Sequence, residues 1–87
     1  MTDGAFELRV RRWVRTRERV AEAIERIAEA DDVIAQRIRR RLARVRRDGE
    51  RAVVSRDWRL LEEVDAYLAG VWLCLEDLGR VLHTAPQ

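Results

Sequence analysis

Residues 20–49 read VAEAIERIAEADDVIAQRIRRRLARVRRDG, and whether this stretch is one helix or two decides the fold. Apolar side chains recur along it at Val20, Ile24, Ile27, Ile34, Ile38 and Val45, with Leu42 beside the row. Steps alternating between three and four residues mark a helix packed along a narrow stripe, as in a coiled coil. Upstream the row continues through Val10 and Trp13; downstream it resumes at Val54, Leu61, Val64, Leu68, Val71, Leu75, Leu78 and Leu82. A strand's period of two appears nowhere, so the predicted class is all-α.

Residues that end helices are scarce. Proline stands only at position 86 and glycine at 4, 49, 70 and 79. Asp48-Gly49 is the clearest break, because glycine suits the left-handed position that closes a helix. The pattern therefore predicts an antiparallel helical hairpin: a long helix over about residues 5–47 and a second over about 52–83. Ser55 and Asp57 are candidate N-caps for the second helix, which could also begin at Glu50, and Gly79 can close it early.

At 1.5 Å per residue, residues 5–47 span about 65 Å and residues 55–83 about 44 Å, leaving an overhang of about 20 Å at the N-terminus. Such an overhang either breaks and folds back or lies on another chain. Folding back gives a three-helix arrangement, with the break at Thr16 or at Asp31-Asp32. Four charged residues, Arg17, Asp31, Arg41 and Asp57, interrupt the seam. Polar residues at such positions set register or partner number, or their stems carry the charge out to water.

Eighty-seven residues make one small helical domain with little core to spare, for which packing into an oligomeric bundle would add stability. All eighteen basic residues are arginine, a bias that GC-rich coding explains as readily as function does. Their placement says more: residues 1–49 hold 14 Arg against 9 acids, and residues 50–87 hold 4 against 7. The lone cysteine, Cys74, excludes an intrachain disulfide and reads as a small buried hydrophobe. The opening Met-Thr-Asp-Gly has neither the basic region nor the apolar core expected of a secretion signal, and the longest uncharged run is half of the roughly 20 residues needed to span a bilayer. The expected location is cytoplasmic.

That uncharged run, residues 66–75 (AYLAGVWLCL), is apolar on every side of a helix, and one neighbouring helix would bury only one side. Trp58 and Trp72 flank it on one face. The expected protein interface comprises Trp58, Tyr67, Leu68, Val71, Trp72 and Leu75, covered by a second copy, by a partner protein or by the chain's own N-terminal segment.

A second feature is the run Arg37, Arg39, Arg40, Arg41, Arg44, Arg46 and Arg47, in which Arg37, Arg40, Arg44 and Arg47 share one face. Arg11, Arg12 and Arg15 cluster near Trp13. These seven (Arg37, Arg40, Arg44, Arg47, Arg11, Arg12 and Arg15) are candidate phosphate-binding residues. Two structural roles compete with that one for the run: favourable placement near a helix C-terminus, and pairing with Glu62, Glu63 and Asp65 or with their copies in a second chain. An acidic block, Glu22, Glu25, Glu29, Asp31 and Asp32, separates the basic clusters, a pattern that staggered copies of the chain could satisfy. That favours self-assembly over binding to a membrane surface.

One histidine and one cysteine make no zinc-type ligand set, and there is no glycine-rich phosphate loop. No cofactor and no catalysis are expected. The sequence thus predicts a small non-catalytic structural or adaptor subunit that self-associates or docks on a protein. The alternative is a basic subunit of a nucleoprotein assembly that grips nucleic-acid backbone without reading bases.

Overall fold

A computed structural model describes residues 2–84, with side chains from residue 4 onward. Among these residues the chain forms three helices and no strand: α1 (Thr2–Ala30), α2 (Asp32–Ser55) and α3 (Trp58–Thr84). The all-α class holds, and the division within it follows the three-helix alternative. The single long helix over residues 5–47 is corrected, because it is interrupted at Asp31.

The interruption is one residue long. Asp31 is extended, with φ −155° and ψ 98°, and its carboxylate accepts the Ile34 backbone N–H at 3.1 Å. That satisfies a donor left orphaned at the start of α2, and a cap of this kind stabilises by about 1 kcal/mol. The second reversal is as short. Arg56 takes the left-handed conformation at φ 55°, and the N–H of Asp57 closes on the Ala52 carbonyl at 2.9 Å. The Asp57 carboxylate then accepts the Leu60 N–H at 3.1 Å and caps α3. Two of the four charged intruders in the seam are therefore the caps of the last two helices. Ser55 instead ends α2, its hydroxyl donating to the Arg51 carbonyl.

Thr16 is no break. It lies buried inside α1 and donates to the Arg12 carbonyl one turn back, at 3.0 Å. Gly49 does not end a helix either, and lies buried within α2. A Cβ placed there would stand 2.5 Å from Cζ2 of Trp13, so the glycine is present to seat the indole of α1 against the α2 backbone. Gly79 likewise stays inside α3.

The chain runs up, down and up, which makes α1 and α3 parallel. Phe6 meets Trp58, Arg9 meets Glu62, Arg19 meets Trp72, and Arg26 meets Glu76, all in rising order. α2 is antiparallel to α1, as the contacts of Trp13 with Gly49 and of Arg39 with Glu25 require. With helices of 29, 24 and 27 residues no arm overhangs, and the molecule is a rod of 55 × 19 × 15 Å.

The core is built unequally. α1 contributes Phe6, Trp13, Val20, Ile24 and Ile27, and α3 contributes Leu61, Val64, Leu68 and Leu75. From α2 the centre of the stripe is Ala35, Leu42, Gly49 and Ala52, whereas Ile34, Ile38 and Val45 are only partly covered. The helix restarts at Asp32, so its buried stripe is set by close approach to its neighbours rather than by continuing the row of α1. Small residues let α2 come near.

Gly49→Ala should lower stability by about 1–3 kcal/mol through overpacking on Trp13, despite its better helix propensity. Gly79→Ala should instead stabilise by about 0.5–1 kcal/mol. Its added Cβ meets only Ile27 Cγ1, at 3.8 Å. Urea unfolding of both variants checks the contrast; equal destabilisation would mean that the two glycines do the same job.

Candidate interaction surfaces

The uncharged run of α3 divides cleanly in the bundle. Leu68 and Leu75 face inward and belong to the chain's own core. Val71 and Trp72 are half-covered along its edge. Trp72 lies beneath the Arg19 guanidinium, 5.3 Å from the ring centroid, and its indole N–H donates to Glu76 at 3.1 Å. Trp58, 37% exposed, packs beside Phe6 with the Arg9 guanidinium over its ring. Of the six expected interface residues, only Tyr67 stands well out from the bundle.

Apart from Tyr67, the outward side of the run consists of residues outside the expected interface set. Tyr67 is 56% and Leu73 60% exposed, and Ala66, Ala69, Gly70 and Cys74 are exposed around them. Val81, 62% exposed, lies on the same side about two turns further on. A Cβ at Gly70 would meet nothing within 4 Å, so this glycine leaves a shallow opening in the middle of the face. Cys74 is exposed, which corrects its reading as buried. Arg59 and Glu63 bound the face on one side, Asp77 and Arg80 on the other, all exposed. The signal available in the sequence was the run's lack of charge. Which of its two sides would face out depends on where α1 and α2 lie.

The arginines lie on two helices. Arg37, Arg40, Arg44 and Arg47 are exposed along the outer side of α2, opposite the Ala35, Leu42 and Gly49 row. Arg11, Arg12 and Arg15 are exposed on α1. Among the described residues none of these seven has a carboxylate within ion-pair distance. Glu62 is engaged by Arg9 of α1 and not by the α2 run. Of the other two seam intruders, Arg17 lies over the Trp13 ring at 4.5 Å, its stem covering the indole, and Arg41 is exposed.

A slot of about 230 Å³ opens midway between α1 and α2, lined by Val20, Ile24, Leu42 and Leu68 together with the charged Arg17, Glu18, Glu25, Arg39 and Arg46. His83 ties the end of α3 to α1 through a 2.8 Å contact between Nε2 and the Arg26 carbonyl. No helix of the described chain is long and apolar enough to cross a membrane. No known protein family, curated protein or solved structure matches this chain.

The native protein in dilute solution should react at Cys74 with a thiol reagent nearly as fast as the denatured chain does. Protection persisting at the lowest concentrations would mean that another part of the chain covers this face.

Proposed function

We propose that the protein is a small, non-catalytic assembly subunit that pairs with a second copy of itself through the outward side of α3. The observation that carries this reading is the exposed, uncharged surface of Ala66, Tyr67, Gly70, Leu73 and Cys74 on a bundle whose core is already closed without it. Contiguous apolar surface of this kind, rimmed by charge, marks association sites.

Charge supports a second copy in antiparallel orientation. A two-fold axis midway between Ala66 and Gly70 sets Ala66 of one copy opposite Gly70 of the other, where small side chains let the helix backbones approach closely. The same register brings Arg59 opposite Asp77 of the partner at both ends of the contact. A parallel pairing would oppose Arg59 to Arg59 and Asp77 to Asp77. Tyr67 then supplies apolar area beside the axis, and Leu73 packs on the aliphatic stem of Glu63 of the partner copy, which this register sets opposite it. One helix pair falls at the low end of the roughly 1,200–2,000 Å² typical of specific interfaces, so affinity should be on the order of micromolar.

Sedimentation at rising concentration tests the pairing, with the dimer expected to form in the micromolar range. Leu73→Glu should leave the protein monomeric and folded, because Leu73 contributes nothing to the core. Arg59→Asp or Asp77→Arg alone should weaken the dimer severalfold, and the two together should restore it. A monomer up to several hundred micromolar would refute self-pairing. A dimer indifferent to the charge swap would refute this register.

A further inference from the structure

We infer that the outer side of α2 is a binding surface for the phosphate backbone of double-helical nucleic acid, carried by Arg37, Arg40, Arg44 and Arg47. This surface lies on a different helix from the α3 contact and does not rest on it.

α2 carries eight arginines against three acids. Each acid is already engaged or displaced from the row. Asp48 holds Arg51 at 2.8 Å, Glu50 lies 4.0 Å from Arg17, and Asp32 sits in the first turn, where a negative charge suits the helix dipole. The four arginines of the row therefore follow one another at spacings of three and four residues with no carboxylate in ion-pair distance among the described residues, since Asp48, four residues after Arg44, and Glu50, three after Arg47, are turned to Arg51 and Arg17. Like charges at those spacings destabilise a helix.

Within one chain, both structural roles that would account for the row fail. The dipole role fails because α2 runs on to Ser55, which leaves Arg47 about two turns short of the helix end, beyond the reach of that effect. The pairing role fails because Glu62 belongs to Arg9, and no carboxylate of α3 reaches the row among the described residues. The fold thus retains a line of repelling charges that its own packing does not use. An external polyanion would relieve the repulsion.

The chemistry of the row selects the kind of polyanion. Guanidinium groups present paired donors that match phosphate oxygens. From Arg37 to Arg47 the row is about 15 Å long, and a duplex offers roughly one charge per 1.7 Å of its axis, so each arginine can find a phosphate. α2 contains no aromatic residue, which leaves no platform for stacking unpaired bases and favours duplex over single strand. An acidic protein helix fits less well, because between its ends the row offers no large apolar side chain for a protein partner to bury. Contact is with backbone alone, so all sequences should bind alike.

The test is fluorescence anisotropy with a labelled 20-base-pair DNA duplex at several salt concentrations. The unmodified protein should bind with a log–log salt slope of about −3 to −4, as expected for about four phosphate contacts. The variant R40Q/R44Q/R47Q should bind at least about tenfold more weakly and lose about three units of slope. Because the row repels itself, this variant should unfold no earlier on heating, which separates lost binding from lost fold. A control of equal charge, R19Q/R26Q/R80Q, should stay within about threefold of the unmodified protein, since it spares the row and removes arginines already engaged with Trp72, Glu76 and Asp77. Absence of binding at low salt would overturn the proposal. So would equal losses in the two triple variants, which would reduce the effect to net charge. Competition by polyglutamate as effective as that by duplex would reassign the row to an acidic protein.

Discussion

One extended residue, Asp31, sets the terms for the rest of the molecule. Continued as helix, the chain would be a long arm with a shorter one beside it. Interrupted there, with the carboxylate of Asp31 holding the first turn of α2, it doubles back after Ala30 and gains a third helix against which the other two can close. The reversal is kept by packing at the far end of the same pair, where Trp13 of α1 lies on Gly49 of α2. A cap contributes about 1 kcal/mol and a buried aromatic several times that, so the turn directs the chain and the indole holds it. The seating has a cost: the Trp13 indole N–H is buried without an acceptor among the described residues.

With α2 in place, the division of labour among surfaces follows. α1 and α3 run in parallel and provide most of the large core side chains, joined along their length by pairs such as Arg9 with Glu62 and Arg26 with Glu76. Exposed ion pairs of this kind are each worth about 1 kcal/mol or less, and they serve register more than stability. α2 approaches with small residues and turns its arginines outward. The bundle thus presents an uncharged face on α3 and a basic one on α2, properties that a chain of net charge +2 does not announce as a whole.

These two faces are compatible. Pairing through α3 would leave both copies of α2 on the outside of the dimer, displaying two arginine rows. A protein that assembles through one helix and holds a polyanion with another would couple copy number to grip, because two linked sites bind more strongly than either alone.

From the sequence alone, the helical class, the seam through Val20, Ile24 and Ile27, the run of arginines and the uncharged stretch of α3 were all legible, because each is a matter of spacing along one chain. Asp57 was also legible as a candidate cap and Asp31-Asp32 as one of two places for a break, although not that Asp31 itself caps the helix after it. Three-dimensional packing decided the rest. Gly49 looked like a helix end and proved to be a seat for Trp13, since a glycine needed for close approach and one needed for a left-handed turn read the same. Leu42 and Ala35 displaced Ile38 and Val45 from the centre of the α2 stripe, because proximity to neighbouring helices and not side-chain size sets which face is buried. Likewise Leu68 and Leu75 turned inward while Tyr67 and Leu73 turned out. A segment apolar all round carries no preference of its own, and only the positions of α1 and α2 could supply one.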